Sequence, residues 1–443
     1  MNEEELDKQK NQSVKSAEGN EIIEPEIEGS DMSRKPDKKR IGIAVGSGAL
    51  ILMVIIISVV ATTMMQNGGE TGDGSESSDD GGTSVIDVDE DIVSIEELTS
   101  GEVDTTIDGK KVTYNAKYII DGVNVEVDAG TFESTSDDEV VFLVINGGTL
   151  KLGEGVIVNK SGSADFDGRG DAYSFYGTNS AIAVVGEEST AKLEGIKINT
   201  SVNGANAVVA TKGGNVTFSN ITINTTKDAS RGLHATYGGL IAGNGGTVTT
   251  QGQSCAALAT DRGEGTVEVS NMKLSTVGAG SPLIYSTGAI KVTDSTGTAT
   301  GAQIAVVEGK NSITLDGCDF SANGIGNRNN VDNAAVMIYQ SMSGDASVGV
   351  GSFTANDTKM TVLADSEVYE TTPFFFITNT TADISLDNVE ASFCEDGYFI
   401  LAAGTDEWGR TGANGGIVSI GAIGLTATNT NVGVDDISSV KGL

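Results

Sequence analysis

From about residue 130 the chain alternates apolar and polar residues in short runs. Each run is broken by glycine or by a two-residue polar turn. Gly214-Asn-Val-Thr-Phe-Ser-Asn-Ile-Thr-Ile-Asn-Thr-Thr226 is the clearest copy. It returns as Gly265-Thr-Val-Glu-Val-Ser-Asn-Met-Lys-Leu-Ser-Thr276, and more weakly at Ala191–Thr200 and Ser312–Ser321. Alternation with period two is the mark of a strand with one buried face. No helical period runs longer than a turn or two. The polar-turn position falls at Gly195, Asn220, Gly245, Asn271, Asp294 and Gly317, at steps of 25, 25, 26, 23 and 23. A second apolar strand, marked by Val208, Leu233, Ala257, Leu283 and Ile304, precedes each new glycine at a similar step. Two markers with one step predict a solenoid with one coil per repeat.

A coil of this kind buries one side only and cannot fold alone. Stacking coils about 4.8 Å apart buries that side and pairs the backbone in parallel ladders. Coils of 23–26 residues with three short strands predict an all-β, right-handed parallel β-helix of about ten coils. No hexapeptide period of the left-handed kind is present. Aligning Val208-Val-Ala-Thr211, Leu233-His-Ala-Thr236, Ala257-Leu-Ala-Thr260 and Leu283-Ile-Tyr-Ser286 places the first and third residues inside. Val209, His234, Leu258 and Ile284 then face out, beside a Thr/Ser column at Thr211, Thr236, Thr260 and Ser286. Gly162–Thr178, Gly324–Asn333 and Ser341–Gly351 read as inserted loops. Strands resume at Val336–Tyr339, Phe374–Thr378, Ile384–Leu386, Tyr398–Leu401 and Ile417–Ile420.

The N-terminal fifth has a different pattern. Ile41–Met65 is 25 residues without a charge, long enough as a helix to cross a hydrocarbon core of about 30 Å. Arg34, Lys35, Lys38, Lys39 and Arg40 precede it and an acidic Gly/Ser run follows. The positive-inside rule then puts residues 1–40 in the cytoplasm as a disordered segment. Residues 66–90 read as a flexible acidic linker and 91–443 as an extracellular β-helix domain. A cleaved signal peptide would need a shorter apolar core nearer the start. The expected address is a bacterial cell membrane, single-pass through residues 41–65.

Composition narrows the partners. The net charge is −35, of which residues 66–443 carry 19 Lys/Arg against 51 Asp/Glu. A field of that sign repels nucleic acid and disfavours polyanionic ligands. With Gly 59 and Pro 4, tight turns are many and almost none is made by proline. Cys255, Cys318 and Cys394 have no metal-ligand spacing and read as buried free thiols.

Residues 130–443 resemble the pectin-lyase-like right-handed β-helix superfamily. Ser230-Arg-Gly-Leu-His-Ala-Thr-Tyr-Gly-Gly239, Cys255-Ala-Ala-Leu-Ala-Thr-Asp-Arg-Gly263 and Gly280-Ser-Pro-Leu-Ile-Tyr-Ser-Thr-Gly288 are similar to segments of bacterial surface proteins described as adhesin-like or carbohydrate-binding-like. The resemblance implies the fold and a surface address; the superfamily spans lyases, hydrolases and non-enzymatic adhesins.

Lyases of this fold need a calcium site and an Arg or Lys base. The nearest set, Asp261-Arg262 with Glu264 and Asp294, lies at turns, so no cofactor is expected. Hydrolases need paired carboxylates with a nearby base. Asp137-Asp138 and Asp435-Asp436 lie far from the sole histidine, His234. An ice-binding reading of the Thr/Ser column fails at Val307 in the next coil. One outer corner gathers Arg231, His234, Tyr237, Asp261 and Arg262 as candidate ligand contacts. Trp408, the sole tryptophan, could stack on a sugar or pack under its own loop. The expected function is a non-enzymatic adhesin or glycan-binding protein with a glycan or cell-surface ligand. The alternatives are a polysaccharide lyase, a glycoside hydrolase or a structural envelope spacer.

Overall fold

The structure is a computed structural model that describes residues 92–326, 332–341, 343–394, 397–404, 416–423, 425–429 and 432–434. Residues 1–40, the apolar segment 41–65, the linker 66–90 and Trp408 lie outside the described residues. Among the described residues no helix is long and apolar enough to cross a membrane.

The fold is a parallel β-solenoid. One sheet stacks eleven parallel strands, from Lys110–Asp121 through Val208–Thr211, Leu233–Ala235, Leu258–Thr260 and Ile284–Ser286 to Ile400–Ala402. Its N-terminal edge carries an antiparallel partner, Thr99–Ile107. The remaining two strands of each coil join a second, larger sheet as two strips. They meet at the polar turn, as in Asn215–Thr225, where Val216, Phe218, Ile221 and Ile223 all point inward and are buried. The inward ladders are continuous. Leu150, Ala191, Val216, Ile241, Val267, Ile290, Ile313, Phe353 and Ile384 stack in register through the main core.

The turn marker has a backbone cause. Gly195, Asn220, Gly245, Asn271, Asp294 and Gly317 all adopt positive φ, and so do Asp357 and Asn388 in the later coils. Glycine and, at small cost, Asn or Asp accept the left-handed region most readily, which explains the three residue types seen at this corner. A second column explains the glycine that opens each repeat. A Cβ on Gly214, Gly239, Gly265 or Gly288 would lie 2.3, 2.1, 2.5 or 2.1 Å from a carbonyl oxygen of the coil below.

The structure corrects three expectations. First, the strand register slips by one after residue 236. Leu258, not Ala257, stacks on Leu233, and Ile284 stacks on Leu258. Leu258 and Ile284 therefore belong to the core, and the outward neighbours of His234 are Val209 and Ala259. Secondly, Thr211, Thr236, Thr260 and Ser286 form no exposed array. All four are fully buried, and Thr260 stacks on the inward Ala235. Thirdly, the insertion at 162–178 holds a helix, α1 (Phe166–Tyr176), despite two glycines and no apolar stripe. It is fixed at its ends: Asp165 accepts from the Gly168 N–H, and Gly177 closes it at φ 72°.

Helix α1 explains the buried outer column. With the tip of the hairpin 99–121, whose base belongs to the sheet itself, it packs on the outward face of the first sheet. A second apolar cluster forms there from Ile107, Val112, Tyr114, Leu143, Ala183, Val185, Phe175 and Tyr176. The strands of the first sheet are thus apolar on both sides, as in any sheet covered on both faces. The three cysteines are free and buried, as their strand-like neighbours predict.

Candidate functional site

The helix covers only the first rungs of the first sheet. Beyond it the outward column continues as Ala259, Tyr285, Val306, Met337, Phe376 and Leu401. Beside Ala259 and Tyr285, the chain that leads into these two strands presents the compact residues Ala256, Gly280 and Pro282. A cleft of about 340 Å³ opens at this step. Ser174 and Phe175 of α1 wall one end, and Tyr285, Tyr339 and Met337 wall the other; Arg231 and Asp261 lie between them. Its size is that of a small-molecule site.

Asp261 is held from two sides. Its Oδ2 accepts from Arg231 Nη2 at 3.2 Å, and its Oδ1 accepts from the Arg262 backbone N–H at 2.9 Å. Burial still outweighs the attraction of Arg231 and pushes the Asp261 carboxyl up to about 6. Arg231 Nη1 is buried and has no hydrogen-bond partner among the described residues. An orphaned buried donor costs about 1–3 kcal/mol unless water or a ligand meets it.

A second polar cluster borders the cleft. Glu308 is 1% exposed and occupies the outward column of Tyr339, one rung away. It accepts from the hydroxyls of Tyr285 and Tyr339, each at 2.7 Å, and from Ser341 Oγ. Burial raises both tyrosines well above their ordinary range, so they stay protonated and donate.

The five described candidates are not one constellation. Arg231 and Asp261 share the cleft. Tyr237 and Arg262 line a neighbouring cavity of about 230 Å³ with Asp108, Gly263, Glu264, Gly344, Asp345 and Ser347. His234 lines neither. It sits on the outward column as expected, but α1 covers it completely, and Nε2 lies 2.7 Å from the Ser174 carbonyl. A carbonyl only accepts, so Nε2 carries the proton. Burial, with Arg231 nearby, pushes the imidazole down to about 3 and keeps it neutral. His234 therefore fastens the helix to the sheet, as does Thr236, whose hydroxyl donates to the Phe175 carbonyl at 2.8 Å.

Tyr285, Glu308 and Tyr339 escaped the sequence reading. The aligned repeat places Tyr285 inside, whereas the observed register stacks it on Ala259 and Val306 in the outward column. Glu308 and Tyr339 do carry a signal: each ends an apolar strand, in the column that begins Thr211, Thr236 and Asp261. Among the described residues no cluster of three or more His, Cys, Asp or Glu is placed to hold a metal ion.

No family model matches the chain, and no curated protein and no solved structure matches it.

Proposed function

We propose that the chain is a single-pass protein of a bacterial cell surface whose solenoid binds a glycan in the cleft beside α1. In this reading residues 41–65 anchor it, residues 66–90 hold the solenoid off the membrane, and the solenoid is a right-handed β-helix of the pectin-lyase-like kind. The observation that carries the binding role is the cleft itself. It joins aromatic walls (Phe175, Tyr285, Tyr339) to a paired Arg231 and Asp261, the mixture that suits the apolar faces and hydroxyl edges of a sugar. Its lining holds Arg231 against Asp261, Asp332 and Asp345, which favours uncharged or cationic sugars over uronates.

The test uses residues 91–443 on an array of neutral, amino and acidic glycans, followed by titration. Binding to neutral or amino glycans, lost in Tyr285→Ala with the fold retained, is the expected result. No glycan bound, or a preference for polyuronates, refutes the reading. Protease applied to intact cells tests the orientation: removal of everything after about residue 70 is expected, and full protection overturns it.

One observation favours a second, catalytic reading. A buried carboxyl raised to about 6 is suited to hand a proton to a leaving group near neutral pH. Asp261 would be that acid, and Asp261→Asn would abolish product release from a neutral polysaccharide. Absence of turnover across a broad panel removes it.

A further inference from the structure

The two cavities on the outer face share one lining residue, Asp345. The Arg262–Asp345 pair stands where they meet, with Arg262 lining the second cavity and Asp345 lining both. Arg262 Nε donates to Asp345 Oδ1 at 2.6 Å, and the same guanidinium lies 3.8 Å over the ring of Phe175, which lines the first cavity. Arg262 is held by its backbone as well, through the bond from its N–H to Asp261 Oδ1. Gly263 follows at φ 79°. A Cβ there would fall 2.7 Å from the Tyr237 Cα, so the chain turns tightly away beneath the pair. Arg262 is thus fixed from three directions, by Phe175 on α1, by Asp345 on the loop after Tyr339, and by Asp261 beside it.

We infer that the Arg262–Asp345 pair is a wall that closes one end of the binding cleft and restricts it to the terminal unit of a glycan chain. The inference rests on the glycan-binding reading and names what that reading leaves open. A wall pinned to a helix, a loop and a strand end does not yield to a second sugar unit as one flexible side chain would. The space behind it is nevertheless suited to one. It encloses about 230 Å³ and carries the same balance of charge, Arg262 against Asp108, Glu264 and Asp345. Removing either member of the pair joins the two spaces into one groove and changes the protein from a reader of chain ends to a reader of chain interiors.

The experiment titrates unmodified hexose and N-acetylhexosamine oligomers of one to six units against three proteins: wild-type residues 91–443, Arg262→Ala and Asp345→Ala. The second variant lies on a surface loop and guards against misfolding of the first; circular dichroism confirms each fold. Wild-type affinity should stay level within about twofold from one unit to six, since only the terminal unit is held. In both variants the ratio of affinity for the longer ligands to affinity for the shortest should rise about tenfold over wild type, whatever happens to the affinity for the shortest. Wild-type affinity that keeps climbing with each unit overturns the wall while leaving glycan binding intact. So do variants whose length dependence equals that of the wild type. No oligomer bound by any of the three removes the glycan-binding reading and the wall together.

Discussion

Replacing His234 with alanine separates a structural histidine from a catalytic one. The side chain is fully buried beneath α1 and donates to the Ser174 carbonyl at 2.7 Å. Alanine leaves that carbonyl unpaired and opens a ring-sized void, together costing about 2–4 kcal/mol at pH 7.5. The imidazole also makes the wild type sensitive to acid. Its ordinary value is 6.5 and its folded value about 3, so the unfolded chain takes up a proton that the folded chain refuses. Stability is fully present above pH 6.5 and is lost as pH falls towards 3, by about 1.4 kcal/mol per unit. Between pH 7.5 and pH 5 the wild type loses about 2 kcal/mol through this one group. The variant has no such group, so its deficit should shrink by that amount. Asp261 titrates in the opposite sense in both proteins and cancels in the difference. Urea unfolding followed by far-ultraviolet circular dichroism at the two pH values reads the effect. A deficit that does not change with pH refutes a neutral, buried His234. Unchanged stability with lost glycan binding would place the imidazole in the ligand site.

Leu258→Ala should cost about 2–5 kcal/mol, because the side chain lies in the main core; a near-neutral result in the same urea assay would restore the outward placement. Asp261, raised to about 6, should weaken glycan binding as pH falls through that value, with Asp261→Asn flat over the range. Because its folded value exceeds the ordinary 3.8, protonation of Asp261 should stabilise the fold as pH drops from 6 to 3.8, and a smaller acid loss in wild type than in Asp261→Asn is the check. Tyr339→Phe should destabilise by about 1–3 kcal/mol, since Glu308 is buried and loses one of its three hydroxyl donors; no change in the unfolding midpoint would show that Glu308 does not depend on it.

The solenoid was legible because its turns are constrained by backbone. Asn220, Asn271 and Asp294 stand where φ must be positive, and Gly214 and Gly265 stand where a Cβ would strike a carbonyl, so the period is written in residue types. Register within the first sheet was not legible from residue 257 onward. Alternation marks a strand only when one face meets water, and Leu258-Ala-Thr260 is buried on both. The same cause hid the site. Arg231 and Asp261 were found together because charged residues stand out in an apolar run. His234 was placed on the right column and the wrong side of a helix, since Asp165–Gly177 carries no apolar stripe to announce itself.

The column of left-handed turns has a consequence for how such a molecule can change. From Gly155 to Asn388 its members are separated by 40, 25, 25, 26, 23, 23, 40 and 31 residues. Coil length varies almost twofold while the corner stays in register. Phase is therefore set locally at each corner and is not accumulated along the chain. A segment of new sequence placed between two corners, as at 324–333 or 341–351, alters what is displayed while the corners above and below stay in register. The insertion at 162–178 is tied to the outer face of the sheet through Phe175, Tyr176 and the bonds from His234 and Thr236, so new specificities are grafted at the later insertions and not there.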